Sequence, residues 1–341
     1  MKTLVTGASG LLGANVVREL LNRNHEVRAL ARKGSDLRTI HGLEIELVYG
    51  DLEDPESLGN ACKGIDNVIH AGGKAPGAQT KFSDYAGINI KGTQNIVRAA
   101  EEAGISRFVH VSSCCVFSGG TIDNPGTELS EFTGFKFNSG YINSKYLAQQ
   151  WLLSEVEKKG FPAVIVNPAL LIGPYDMKPT SGLAILEVLK QPYQLCPMGG
   201  KNFIDVRDAA YAVCNALSMG IAGECYLLAS ENLSFAEFYR KVNRIYGRTG
   251  MRIMVPDALV KGVGLVGNAV QSITNHNLAW NYVNTSQLTY ESYFSANKAV
   301  RALALPQRPV DAAINDAIEW FIANNYLAPR LEQGFYVPEA A

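Results

Sequence analysis

Short apolar runs alternate with amphipathic stretches through the first half of the chain. Strand-like runs fall at 2–6, 26–31, 44–49, 67–70, 107–111, 163–167 and 225–229. Between the early ones, apolar residues recur every three to four positions at 11–22, 55–62, 90–103 and 141–159, as in helices with one buried face. Asp54 before Pro55 gives the second of these an N-cap and a proline at its first position. Strand alternating with helix predicts an α/β protein built on a doubly wound parallel sheet. After residue 168 the pattern loosens into Pro- and Gly-rich connections, with helices expected at 182–190, 206–218, 235–246 and 310–325. The organisation expected is one unit of residues 1–168 plus 204–229, and a smaller, discontinuous C-terminal unit of 169–203 plus 230–341. The tail 332–341 has no period and is expected to be mobile.

The first strand runs directly into glycines at 7, 10 and 13, followed by a helix whose stripe is Leu12, Val16, Val17, Leu20 and Leu21. A strand that turns through glycines into a helix N-terminus presents bare amides and the positive end of the helix dipole, which suits a phosphate. Gly7 would make the tight turn, Gly10 would let a pyrophosphate approach, and Gly13 would let the helix pack on the strand. The loop and first turn, Gly7, Ser9, Gly10, Leu11, Leu12 and Gly13, are the expected dinucleotide cradle. The spacing is G-x-x-G-x-x-G, one residue wider at the front than the G-x-G-x-x-G fingerprint.

Tyr141 and Lys145 stand four apart at the start of a helical stretch and so share a face. An ammonium beside a phenol stabilises the phenolate and lowers its pKa. Ser112 and Ser113 end the strand at 107–111, at the sheet edge where open α/β folds hold ligands.

Taken together, residues 6–13, the Val111-Ser112-Ser113 strand end and Tyr141-x-x-x-Lys145 resemble the extended short-chain dehydrogenase/reductase family. Gly50-Asp51-Leu52, Asn89-Ile90-Lys91-Gly92-Thr93, Asn167-Pro168, Gly173-Pro174 and residues 203–208 fit it in order. The likeness covers about residues 1–325 and leans towards the dihydroflavonol-reductase-like and 3β-hydroxysteroid-dehydrogenase-like branch. Residues 167–180 are also similar to bacterial hopanoid-associated epimerase-like proteins. The resemblance implies a Rossmann-type fold and a catalytic set of Ser113, Tyr141 and Lys145, with Lys145 also holding the nicotinamide ribose. It further implies that Asp51 and Leu52 flank the adenine and that Ala71, Gly72 and Gly73 pass beneath the nicotinamide half. Asn89 and Pro168 complete the expected cofactor surroundings.

The second strand decides the cofactor expected. NAD-preferring sites end it with an acidic residue on the ribose hydroxyls; here it ends at Ala31, followed by Arg32 and Lys33. A guanidinium binds a 2′-phosphate that a carboxylate would repel. NADP(H) is therefore expected, with NAD(H) the alternative if Asp36 swings back to the ribose. His70 reads as a satisfied core histidine.

Composition removes other classes. With 341 residues and a net charge of −1, the chain has no electrostatic footprint for nucleic acid or anionic membrane. Its most apolar segment, 259–273, is interrupted by Lys261, Asn268, Gln271 and glycines and reads as a buried or lid helix. Six cysteines lack metal spacing, so no metal site is expected. Cys114 and Cys115 flank the candidate serine and read as small residues in a crowded turn, a nucleophile being the alternative. The glycine loop begins at residue 6, so a signal peptide is not expected and a reduced, cytoplasmic setting is.

The activity expected is reduction of a small-molecule carbonyl, or oxidation of the alcohol, with Tyr141 as general acid or base and Ser113 as a second donor. Nucleotide-sugar epimerisation is the main rival. Against it, residues 256–297 contain one lysine and no arginine to grip a diphosphate, although Arg207, Lys178 and Arg240 are charges from elsewhere. Dehydration is disfavoured because Cys114 and Cys115 occupy the positions where dehydratase relatives carry carboxylates. A cofactor-binding scaffold is a further alternative, opposed by the survival of all three catalytic groups. Phe117, Phe132, Phe135, Phe137, Trp280, Tyr282, Tyr290, Tyr293 and Phe294 are pocket candidates or small-unit core. Leu147, Leu152, Leu153 and Val156 lie outside the active-site stripe of their helix. They predict a homodimer through helices 90–103 and 141–159, unless Trp151 and its neighbours pack within the monomer.

Overall fold

The computed structural model describes residues 1–329. Six strands build most of the main sheet: β1 (Lys2–Thr6), β2 (Glu26–Ala31), β3 (Glu46–Tyr49), β4 (Asn67–His70), β5 (Arg107–Val111) and β6 (Ala163–Pro168). The chain then leaves it for β7 (Leu170–Ile172), β8 (Tyr193–Pro197) and β9 (Gly200–Asp205), and returns with β10 (Cys225–Leu228). The sheet order is β10-β6-β5-β4-β1-β2-β3, and every neighbour is parallel. Strand order reverses at β1, between β2 and β4, and ligands of open α/β sheets sit at the C-terminal edge of such a reversal.

Helices cover both faces, which is why β4 and β6 are buried at every residue and why β6 opens on four apolar residues in a row. Helices Leu11–Asn22 and Val206–Met219 pack together on one face over Val16, Val17, Leu20 and Val213. On the other face, Pro55–Cys62, Thr93–Glu102 and Gly140–Lys159 enclose Leu4, Ile96, Phe108 and Leu152. Asp54 caps the first of these as its sequence implies, accepting from the amides of Glu56 and Ser57.

The loosely patterned part of the chain hides strands that no period announced. In a small sheet, β9 pairs with β7, with β11 (Glu231–Ser234) and with β13 (Glu291–Ser292), while β12 (Met251–Val255) runs parallel to β8. A third core of Ile172, Ile185, Phe203, Phe238, Ile314 and Phe321 joins this sheet to helices Leu183–Lys190, Phe235–Tyr246 and Val310–Ala323. Because β9 runs to Asp205, the return to the main sheet begins with the helix at Val206 rather than at 204.

Three local expectations shift. The third strand starts at Glu46 because the Ile45 amide turns back onto the Leu43 carbonyl, at 2.9 Å. The helix expected over 90–103 is α-helical only at Thr93–Glu102 and is entered through a wider π-type turn, Ala86–Gly92, that carries buried Asn89. The residues behind the homodimer expectation are mostly covered within the chain. Leu152 is buried and Trp151, Leu153 and Val156 pack on the same core, leaving Leu147 exposed. The tail 332–341 lies outside the described residues.

Candidate active site

The glycine loop is fixed by close backbone approaches. Gly7 has φ +68°, and a Cβ on it would stand 2.7 Å from the Gly72 nitrogen and 2.8 Å from the Ala71 carbonyl. A Cβ on Gly13 would stand 2.1 Å from the Gly7 oxygen, so this glycine admits the helix to the turn itself rather than to the strand. Gly10 caps helix Leu11–Asn22 with no side-chain hydrogen bond, and the first turn holds no acidic residue. Its amides therefore remain open to an anion. Behind the loop, Thr6 Oγ1 accepts from the Gly72 amide (3.0 Å) and shares a hydrogen bond with His70 Nδ1 (2.7 Å). The other His70 nitrogen meets Thr93 Oγ1 at 3.2 Å, and burial pushes this histidine down to about 3. His70 is thus a neutral girder tying the ends of β1 and β4 together.

These loops open into a cleft of about 550 Å³ along the C-terminal edge of β1, β2 and β4. Gly7, Ser9, Gly10, Leu11, Arg32, Asp51, Leu52, Ala71, Gly72 and Gly73 line it, and Lys33 lines its continuation beside Arg32. Leu12 does not: its side chain is in the core, which leaves only its amide for a ligand. Nor do Asn89 and Pro168. The Asn89 amide accepts from the Lys74 nitrogen (2.7 Å) and donates to Ser144 Oγ (3.0 Å), so it buttresses the Gly73–Lys74 loop against helix Gly140–Lys159. Pro168 ends β6 opposite Leu228. The residues that line the cleft fit a dinucleotide: a glycine turn that no side chain could share, an uncapped helix end, and a long groove past the ends of two strands.

Ser113, Tyr141 and Lys145 come together beyond the end of β5. Ser113 starts a tight turn over Cys114–Val116, its Oγ accepting from the Cys115 amide at 3.3 Å. Ser112 is the last residue held in the sheet, its amide on the Val166 carbonyl, so the chain turns at Ser113. Asn167, fully buried, donates to the Ser113 carbonyl (3.0 Å) and to Gln149 Oε1 (2.8 Å). The end of β6, the serine turn and helix Gly140–Lys159 are thereby locked in one frame. Sequence reading had Asn167 only as a family mark and missed Gln149, since nothing in the pattern pairs residues 18 apart on different elements.

The electrostatics correct one expectation. Lys145 was expected to lower the Tyr141 phenol; instead burial raises that phenol well above the usual tyrosine value, and only the hydrogen bond from Ser113 pulls it down. The Lys145 ammonium donates to the Val111 carbonyl at 2.9 Å, and burial lowers it to about 8. Tyr141 is therefore a protonated phenol at neutral pH, a donor rather than a ready base. Burial also pushes Cys114 up to about 12 and raises Cys115, which makes both poor nucleophiles. A residue that the sequence did not flag, Lys201 on β9, feels both cysteines; its ammonium donates to Ser292 Oγ at 3.0 Å.

The aromatic candidates divide. Tyr293 and Phe294 are core, and Phe117 packs against the main core. Phe132 stacks on Tyr146 with centroids 3.8 Å apart and meets Phe135 edge-on, while Phe137 meets Tyr290 edge-on at 5.2 Å. Trp280 and Tyr282 are partly exposed beside helix Asp257–Thr274, the apolar segment noted above. No helix among the described residues is long and apolar enough to cross a membrane, and none of their His, Cys, Asp and Glu side chains group to hold a metal.

A cofactor cleft on a doubly wound sheet, with serine, tyrosine and lysine gathered at the next strand end, defines a class. The chain belongs to the NAD-dependent epimerase/dehydratase family, whose model matches residues 3–229, and so to the extended short-chain dehydrogenases/reductases. It is 30% identical to sterol demethylase protein B of Methylococcus capsulatus over 94% of this chain and 98% of that one. It is 32% identical to a putative dihydroflavonol 4-reductase of Synechocystis, over 95% of each chain. Among solved structures, that of gox2253 superposes with a TM-score of 0.84 at 32% identity, covering 95% of this chain and 99% of that one.

Proposed function

We propose that this protein is an NADP(H)-dependent oxidoreductase that reduces an aldehyde or ketone, or oxidises the corresponding alcohol, at Ser113, Tyr141 and Lys145. The observation that carries the reading is the gathering of Ser113, Tyr141 and Lys145 beyond the end of β5, with the buried Lys145 ammonium fixed on the Val111 carbonyl at 2.9 Å. Bound NADPH supplies the hydride. As charge grows on the carbonyl oxygen, Tyr141 Oη donates its proton to it and Ser113 Oγ gives a second hydrogen bond. Lys145, with one donor on Val111, has two left for the cofactor ribose and for the phenolate formed after transfer. The name of the Synechocystis relative, a putative reductase, supports the same chemistry.

Arg32 and Lys33, together with the absence of an acid at Ala31, favour the phosphorylated cofactor. Asp36, the residue that could serve NAD, is gripped by Arg38 through two of its guanidinium nitrogens and held down at about 2. Epimerisation is the second reading, favoured by the cation Lys201 near the site. Arg207, which would have served a diphosphate, is instead paired with Asp205 and Asp316. A homodimer retains one exposed apolar residue, Leu147, in its support. The test is a panel of aldehydes, ketones and nucleotide sugars, followed by NADPH absorbance. Net oxidation of NADPH with a carbonyl supports reduction. Interconversion of a nucleotide sugar without net oxidation overturns it in favour of epimerisation.

A further inference from the structure

Residues 173–182 follow β7 and cross back over the cofactor cleft, although they belong to the part of the chain that builds the small sheet. Gly173 starts the reversal at φ +152°, where a Cβ would stand 2.4 Å from the Val206 side chain. Tyr175 follows at φ +76°, a conformation that side-chain-bearing residues rarely adopt. Contacts from several sides hold it there. The Arg18 guanidinium lies 3.6 Å from the Tyr175 ring centre, and Asn15 donates to the Pro174 carbonyl at 3.2 Å. Buried Asp176 accepts from the Thr180 and Gly182 amides at 2.9 Å each, and the Tyr326 hydroxyl donates to the Met177 carbonyl. The strap is therefore a built element, anchored to the helix of the glycine loop at one end and to the C-terminal helical region at the other.

Its inner side forms a wall of the cleft through Asp176, Met177, Lys178 and Thr180. Lys178 also lines the continuation of the cleft, facing Arg32 and Lys33. The carboxylates of this corner are all engaged by protein donors. Asp36 is held by Arg38, Asp51 accepts from the Glu53 amide, and Asp54 caps its helix. Arg32, Lys33 and Lys178, by contrast, pair with no carboxylate within ion-pair distance among the described residues. Three cations with no ion-pair partner among the described residues thus line one corner; Lys178 acts on Asp36 at longer range, but that carboxylate is already held by Arg38. A bound dianion would complete that arrangement.

We infer that the 173–182 strap closes a clamp on the cofactor's 2′-phosphate, with Lys178 as the third cation opposite Arg32 and Lys33. The inference rests on the NADP(H) reading proposed above and adds a residue that the glycine-loop and second-strand pattern does not contain. It also gives the fixed geometry of the strap a task, since only a held crossover would present an exposed lysine to a phosphate on the far wall.

The test measures binding, by calorimetry at low and moderate salt, of adenosine 2′,5′-bisphosphate, adenosine 5′-diphosphate and 5′-AMP to the whole protein and to Lys178→Ala. The lysine is exposed, so the variant will fold; a thermal melt checks this. Wild type should bind the 2′,5′-bisphosphate more tightly than 5′-AMP, and Lys178→Ala should lose roughly tenfold on the bisphosphate, less as salt rises, with 5′-AMP and 5′-diphosphate within about twofold. If wild type shows no preference for the 2′-phosphate, the cofactor reading itself falls and the clamp with it. If wild type prefers it but Lys178→Ala keeps that preference, the cofactor reading stands and the clamp is overturned. Equal losses on the 5′-diphosphate and the 2′,5′-bisphosphate would also overturn it, because Lys178 would then be reading the pyrophosphate.

Discussion

The two ends of the cleft are built by different means. At the glycine loop, backbone meets backbone: Gly7 against Ala71 and Gly72, Gly13 against Gly7. The glycine positions dictate the close approaches there, and the side chains of Thr6 and Thr39 only brace the loop from behind. At the end proposed for the substrate, Phe132, Phe135 and Tyr146 pack as one aromatic group and Phe137 and Tyr290 as another, beside a helix with exposed Leu259, Val263, Val266 and Ile273. Side-chain packing tolerates exchange far better than backbone contact does. The cofactor end is thus constrained position by position, whereas the substrate end is constrained only in its overall apolar character.

The sharpest break should come at the reacting centre between the two ends. Tyr141→Phe should leave cofactor affinity and the melting temperature nearly unchanged and lower turnover by on the order of 10²–10⁴-fold, measured with any substrate the panel identifies. Turnover within about threefold of wild type would remove Tyr141 from the proton-donating role. At the cofactor end, Gly13→Ala should abolish measurable binding of the adenosine ligands or unfold the protein. The new methyl meets a carbonyl oxygen that cannot move without opening the Gly7 turn. Tight binding by this variant would refute the claim that backbone contact sets that end.

The lysine between the ends gives a pH signature. The Lys145 pKa is lowered by burial, to about 8 against an ordinary 10.5, so the unfolded chain binds its proton more tightly than the folded one. The charged lysine therefore penalises folding below about pH 8, and the penalty is relieved as pH rises from 8 towards 10.5. Urea melts of wild type and Lys145→Met should accordingly differ in slope across that window, with wild type gaining stability relative to the variant. Parallel profiles would mean that burial does not depress this lysine. The smallest effect belongs to the substrate end: Ile273→Ser, at a residue 82% exposed, should change stability by no more than about 0.5 kcal/mol and leave cofactor affinity alone. A shift of several degrees in the melting temperature would show that this surface is covered in the working protein.

Much of this was legible in the chain because it depends on local periodicity. The strand and helix run from 2 to 111 follows from apolar spacing, and the glycine loop from a turn chemistry that few residues satisfy. The Ser113, Tyr141 and Lys145 grouping follows from helix spacing together with a strand end. The small sheet was not legible. β12 is exposed along most of its length and β13 has two residues, so neither carries a period to read. The direction of the Tyr141 shift was not legible for a related reason: a lysine four residues away is visible in sequence, but the burial that raises the phenol is not.

By itself, then, the sequence determined the doubly wound sheet, the glycine turn into an uncapped helix and the three side chains proposed to react. Each of these rests on residues close together in the chain or on backbone demands that only certain residues meet. Tertiary structure decided the rest. It turned His70 into a girder, set Asn167 and Gln149 to hold the serine turn, and bound Arg207 to Asp205 and Asp316. It also carried Lys178 across to face Arg32 and Lys33. These outcomes depend on which distant side chains share one desolvated space, and a hydrogen bond or charge takes its meaning from that space rather than from its neighbours in the chain.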